Sequence, residues 1–294
     1  MNFEDFLSYI VHQKRYALNT QEAYRRDLES YSSFLKTNYE LSSLHEASHI
    51  MIRDYILHEL ESGLIVTSVK RRISTLRSYY KFLLKEGVIK LNPTSRIVAP
   101  KSEKLLPNYV KEDEMLELKD TSLYPEDFSG VRDKLMIELF YQTGMRVSEL
   151  LELKDSSVNL DTKSLKVLGK RNKERIIPLS EQLINEVSVY QEARKNNFPE
   201  SRNRNLVVAD SGGKLDRKFV YNKVKHYLSQ VSSLKKKSPH VLRHTFATHM
   251  LKNGADLNAI KEILGHSSLA ATQVYAHNDL EQLKASHKKA HPRN

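Results

Sequence analysis

Residues 99–108, A-P-K-S-E-K-L-L-P-N, constrain this chain more than any other stretch. Pro100 and Pro107 follow closely on Asn92-Pro93. Proline inside a helix removes a backbone donor and clashes with the preceding turn, at a cost of about 3 kcal/mol. Helical periodicity therefore stops here, and the polar, proline-bearing stretch reads as an extended linker. The chain is expected to fold as two units, residues 1–98 and 109–294, joined by a linker at 99–108. Its 294 residues suffice for two separate cores.

The first unit reads as a helical bundle. Phe6, Leu7, Ile10 and Val11 recur at helical spacing within Phe3 to Leu18. A second helix is expected after Thr20 as N-cap, with Tyr24, Leu28, Tyr31 and Leu35 on one stripe. Ser48 is expected to cap a third, carrying Ile52, Tyr55, Ile56 and Leu60 up to Gly63. A fourth begins near Thr67 and turns Val69, Ile73, Leu76, Tyr80 and Leu83 inward. Its opposite stripe holds Lys70, Ser74, Arg77 and Lys81, flanked by Arg71, Arg72 and Lys85, and Gly87 ends it. Such a basic stripe is either a solvated face or a surface laid on nucleic acid.

Beyond the linker the periodicity predicts helices over 112–119, 131–143 and 148–153, with Gly144 as a C-terminal stop. Between Ser157 and Leu179 the period shifts to strands, L-K-V-L and R-I-I-P-L, as a hairpin whose turn carries Lys170, Arg171 and Lys173. A helix over 181–197, a short strand L-V-V-A, and a helix over 216–231 follow. Pro239 then opens a helix that Gly254 closes, and D-L-N-A-I-K-E-I-L makes another ending at Gly265. The fold class expected is mainly α, with a small β-sheet in the C-terminal domain.

Charge narrows the partners. There are 47 basic and 36 acidic residues, a formal net charge of +11. Both units share the excess, with 14 basic against 11 acidic residues up to Val98 and 33 against 25 after it. A polyanionic partner is favoured, nucleic acid first and an anionic membrane surface second. No apolar run approaches the roughly 20 residues of a membrane span. Cysteine is absent, which excludes disulfides and thiolate metal sites. The acidic opening M-N-F-E-D-F-L-S shows no basic leader, so a cytoplasmic location is expected.

The chemistry gathers between Pro239 and Tyr275. His240 and Arg243 lie three positions apart on one face of a first helical turn. His266 follows the next helix, and Tyr275 comes nine residues later. Taken singly, each has an ordinary reading: a structural histidine, a cap arginine, a packed tyrosine. Zinc is a weak alternative for His240, His244, His249, His266 and His277, because no H-E-x-x-H occurs and the spacings do not hold one face. His244 reads as a residue that either supports the site side chains from behind or packs the helix.

In order along the chain, T-G-M-R-V-S-E-L, G-K-R-N-K-E-R-I-I-P-L, H-V-L-R-H, L-G-H and the late tyrosine resemble a tyrosine site-specific recombinase. The likeness is closest to the bacterial Xer chromosome-dimer-resolving recombinases and spans nearly the whole chain. It implies an N-terminal SAM-like core-binding bundle and a mixed α/β DNA breaking-rejoining domain. By resemblance, Tyr275 is the nucleophile forming a 3′-phosphotyrosine link. Arg146 and Arg243 clamp the phosphate, Lys170 is the general acid, His240 the acid–base helper, and His266 a phosphate hydrogen-bond donor. Neither metal nor nucleotide is then required. Arg171 stands where relatives commonly carry glycine, and Lys173 is the alternative acid.

The chemistry suits those residue types. A tyrosyl phosphodiester conserves the energy of the broken DNA bond. Guanidinium forks fit the non-bridging oxygens, where charge develops, in a way an ammonium does not. The resemblance also assigns the basic stripe to double-stranded DNA, with Lys70, Arg71, Arg77, Lys81, Arg171 and Lys173 as candidate contacts. It implies a tetramer, alone or with a related recombinase, on two DNA sites, with a helix over 279–291 docking into a neighbour. A septal DNA translocase is the implied activator. Other readings are an integrase or transposase of a mobile element, a type IB topoisomerase, and a non-catalytic DNA-binding protein. The last explains charge and helices but not the five-part signature.

Overall fold

Asn2 opens the first helix, α1 (Phe3–His12), by accepting from the backbone N–H groups of Glu4 and Asp5, while Asp5 accepts from the Asn2 N–H. The computed structural model describes residues 2–101, 109–169, 173–265, 290 and 292. Two units are separately packed, Met1–Lys104 and Leu105–Asn294.

In the first unit α1 stops six residues short of the expected Leu18. Arg15 takes a left-handed φ of 49° and the Tyr16 N–H turns back to the Ile10 carbonyl. Leu18 instead begins α2 (Leu18–Tyr39). Thr20 is therefore not the N-cap. Ala17 holds that place through its extended backbone, and its carbonyl accepts from the N–H groups of Thr20 and Gln21. Ser48 caps α3 (His49–Glu61) as expected, accepting from the Met51 N–H, and α4 (Val66–Lys85) starts one residue before Thr67.

The stripes named above pack together: Phe6, Ile10, Leu28, Tyr31, Leu35, Ile52, Tyr55, Val69, Ile73, Leu76, Tyr80 and Leu83 are all buried. Each large apolar side chain so covered contributes about 1.5–3 kcal/mol. A polar seam crosses this core. The buried Asp27 of α2 accepts from Arg71 and from Thr75 Oγ1, while Arg72 Nη1 reaches Glu59 Oε1 at 2.6 Å and Ser30 Oγ and Tyr55 OH at 2.7 Å. Two of the flanking arginines of α4 thus tie it to α2 and α3.

The second unit is built around α6 (Phe128–Thr143), capped by Asp127 and buried along almost its whole length. Before it lies α5 (Glu112–Glu117), and after it α7 (Val147–Glu152). Strands β1 (Val158–Asn159), β2 (Ser164–Leu168) and β3 (Glu174–Pro178) form one antiparallel sheet in that order. Register pairs Leu165 with Ile177 and Leu168 with Glu174. Leu165, Val167 and Ile177 face the core, whereas Lys166, Leu168 and Ile176 are exposed.

Then come α8 (Glu181–Asn197), α9 (Arg217–Val231), α10 (Pro239–Lys252) and α11 (Leu257–Leu264). The expected strand L-V-V-A is not one. The Leu206 N–H donates to the Leu153 carbonyl and the Val208 N–H to the Tyr190 hydroxyl, so its backbone is satisfied by scattered partners with a single bridge, Val208 to Lys214. The expected helix at 279–291 falls outside the described residues, apart from Ala290. Among the described residues, no helix is long and apolar enough to cross a membrane.

Candidate active site

A left-handed corner sets the site. Gly144 ends α6 at φ 59°, and a Cβ there would lie 2.6 Å from both Leu264 Cδ2 and Phe246 Cδ1. Only glycine allows α6 to turn this close to α10 and α11. Two residues on, Arg146 occupies the N-cap of α7. Its backbone N–H donates to Glu149 Oε2 at 2.8 Å and its Nη1 to Glu149 Oε1 at 2.7 Å. The same Nη1 approaches the Leu264 carbonyl oxygen at 3.4 Å.

Arg243 reaches this point from the first turns of α10, where Pro239 presets the helical backbone. Its side chain is buried, with Nη1 2.5 Å from the Gly144 carbonyl oxygen and Nη2 2.7 Å from that of Leu264. Both arginines therefore converge on the last carbonyl of α11, that of Leu264, at the negative end of its dipole. Burial pushes the Arg243 guanidinium down to about 10, helped by Arg146 and Arg175 and opposed by Glu149. It remains cationic at neutral pH. Among the described residues, these bonds engage two of its five N–H donors. Such a paired fork can receive the oxygens of a phosphodiester.

His240 sits one turn before Arg243 and is exposed. Partial burial, then the charges of Arg243, Lys236, Arg146 and Arg217, hold its imidazole below the ordinary histidine value. A neutral ring in a cationic field can accept a proton from a nearby hydroxyl and return it. His244 is exposed, which leaves it out of the helix packing that was one of its two expected roles. That role belongs to His249, which is fully buried with Nδ1 3.0 Å from the Tyr141 hydroxyl. Among the described residues no cluster of His, Asp and Glu could hold a metal ion.

Of the residues singled out from sequence, Arg146 and Arg243 come together, with His240 beside them. Lys170, Arg171, His266 and Tyr275 lie outside the described residues. Lys173 is exposed at the neck of the β2–β3 hairpin, where its carbonyl accepts from the Gly169 N–H at 2.8 Å. On α4, Arg71, Arg77 and Lys81 are exposed and Lys70 is half-buried. Arg71 pairs with Asp27, and Arg77 Nη2 donates to the Ile97 carbonyl at 2.7 Å, so each already has a partner within the bundle.

Sequence reasoning passed over Glu149 and Arg175. Arg175 Nη1 and Nη2 bind Glu149 Oε1 and Oε2 at 3.0 and 2.7 Å, and its Nε donates to the Ile263 carbonyl at 2.6 Å. Burial pushes the Glu149 carboxyl up, but the hydrogen bonds and charge of Arg175, then those of Arg146, leave it below the usual carboxylate range. Both residues lie inside the motifs T-G-M-R-V-S-E-L and G-K-R-N-K-E-R-I-I-P-L. Motif membership was their one available signal.

Residues 108–282 match the phage integrase family, and residues 3–87 match the phage integrase N-terminal SAM-like domain. Tyrosine recombinase XerD of Staphylococcus epidermidis is 38% identical over 99% of this chain and 98% of its own length. Among solved structures, the site-specific recombinase XerH bound to palindromic difH substrate, in a post-cleavage complex, is similar with a TM-score of 0.73. Its identity is 20%, covering 94% of this chain and 78% of that one. A lambda integrase tetramer bound to a Holliday junction is similar with a TM-score of 0.67 and 19% identity, covering 91% of this chain and 74% of that one. At those identities the structural likeness is one of fold.

Proposed function

The chain belongs to the phage integrase family as a tyrosine recombinase of the XerD type, and on that premise we propose that it recombines double-stranded DNA at a dif-like site, resolving chromosome dimers during cell division. The observation that carries this reading is the meeting of Arg146 and Arg243 at the end of α11, beside a neutral His240. In the reaction the two guanidinium groups receive the non-bridging oxygens of the scissile phosphate. Tyr275 attacks the phosphorus as its proton passes toward His240, and the phosphorus–5′-oxygen bond breaks. Lys170 protonates the leaving 5′-oxygen, with Lys173 as the alternative acid, and His266 donates to the phosphate. The 5′-hydroxyl of a partner strand later attacks the phosphotyrosine and restores both the diester and the tyrosine.

The N-terminal bundle would lay α4 on DNA, with Lys70, Arg71, Arg77 and Lys81 toward phosphates and Arg171 and Lys173 contributing from the hairpin. Residues 1–98 would act as the core-binding domain and 109–294 as the catalytic domain. The lambda integrase likeness supports a tetramer on two DNA sites, composed of this chain alone or with a related recombinase. The tail over 279–291 would dock between neighbours, a septal DNA translocase would activate the assembly, and the protein would act in the cytoplasm. The same likeness supports a second reading, integration of a mobile element by the same chemistry.

Incubation with a nicked suicide substrate should leave a covalent protein–DNA adduct, and Tyr275→Phe should abolish it. No adduct with the wild type, or one that persists in the variant, would overturn the catalytic reading. Sequencing the trapped DNA from cells separates the two roles. A single chromosomal site supports dimer resolution, and the ends of a mobile element support integration.

A further inference from the structure

The recombination chemistry gives no task to Arg175, a largely buried cation of the second unit. Arg175 sits on β3 opposite Val167, its side chain 9% exposed, and ends in three hydrogen bonds to two separate elements. We propose that Arg175 is a positioning residue for strand cleavage, which occupies the Glu149 carboxylate so that Arg146 stays available to the phosphate. This rests on the reading of Arg146 as part of a tyrosine recombinase site.

The geometry shows an unequal sharing. Arg175 binds both oxygens of Glu149 side-on, whereas the Arg146 side chain touches only Oε1. Glu149 is almost wholly buried, so its charge must be met by whatever cations are in reach. With Arg175 in place, that demand is met from the hairpin side. Without it, Arg146 is, among the described residues, the remaining cation hydrogen-bonded to Glu149 and would be drawn into the two-oxygen pairing Arg175 now makes. An arginine committed in that way has fewer donors to offer a phosphate.

Position adds a second link. A Cβ on Gly265 would lie 3.3 Å from Arg175 Cδ and Nη1, and one on Gly169 would lie 3.4 Å from the same Nη1. The guanidinium thus threads between the residue that precedes Lys170 and the residue that precedes His266. Its Nε bond to the Ile263 carbonyl ties the hairpin to the end of α11, on whose next carbonyl Arg146 and Arg243 converge. Lysine could supply the charge but not the planar fork that serves three acceptors at once.

The test compares wild type, Arg175→Met, Arg175→Lys and the double variant Arg175→Met with Glu149→Gln. Thermal melting, duplex-binding affinity and the single-turnover rate of adduct formation on a nicked suicide substrate are measured for each. Arg175→Met should bind duplex like the wild type yet cleave roughly a hundredfold more slowly, the scale for loss of one positioned donor. The double variant should recover part of that rate, because the uncompensated carboxylate is gone. A residue serving only as a brace would be weakened further by the second change, so a double variant no faster than Arg175→Met overturns the proposal. Wild-type cleavage by Arg175→Met overturns it too. Should that variant fail to fold, Arg175→Lys decides: slowed cleavage with unchanged binding supports the proposal, and wild-type cleavage overturns it. Failure of the wild type itself to form an adduct overturns the recombinase reading instead.

Discussion

Arg243 Nη2 lies 2.7 Å from the carbonyl oxygen of Leu264, joining the start of α10 to the end of α11. The bond places a buried cation at the negative end of a helix, two residues before His266 in sequence. It makes the geometry of the arginine pair depend on where α11 ends.

Arg243→Lys should retain a charge but lose the fork that reaches both Gly144 and Leu264. The single-turnover cleavage rate should fall by about a hundredfold or more. Duplex affinity, set by many phosphate contacts, should change little. Adduct formation and a gel-shift titration on the same preparation check both.

Gly144→Ala should destabilise the second unit by about 2–4 kcal/mol, since it adds a methyl group to a packed contact and imposes a left-handed backbone on alanine. The Cβ would meet Leu264 and Phe246 at 2.6 Å. Urea denaturation should show a lower midpoint, and cleavage should fall with it because Arg243 Nη1 bonds to the Gly144 carbonyl.

His249 should make the fold acid-sensitive. Burial holds its pKa below 6.5, with Glu112 and the Val110 carbonyl opposing and Lys252 assisting. As pH falls below 6.5 the unfolded chain takes up a proton that the folded chain resists, so stability declines and levels off only below the folded pKa. His240, also depressed, adds to the slope with the same sign. His249→Gln should flatten it, as read from unfolding free energies measured between neutral and mildly acidic pH.

Lys81 is exposed on the basic stripe of α4. Lys81→Ala should weaken binding to all duplex sequences alike and reduce the slope of log K against log salt by about one. Arg71→Ala should behave differently. It also deprives the buried Asp27 of a partner, so its melting temperature should drop.

The helices were legible wherever a local signal stood alone. Ser48, Asp216 and Pro239 mark helix starts through side-chain or backbone chemistry confined to one turn, and the structure places helices at each. The misreadings came where a local signal was outweighed by neighbours. Thr20 is a good cap, but Ala17 already closed that turn, and L-V-V-A has strand composition but no strand beside it.

Sequence by itself determined the apolar stripes and the order of the motifs that carry Arg146, His240 and Arg243. These follow from periodicity and residue type, which act over a few residues. Tertiary structure alone decided that Glu149 and Arg175 belong beside Arg146, and that Arg71 and Arg77 have partners inside the bundle. An ion pair is chosen by proximity in the packed core, where desolvation makes an unmatched charge costly, and nothing in a residue's own letter names the partner it will meet.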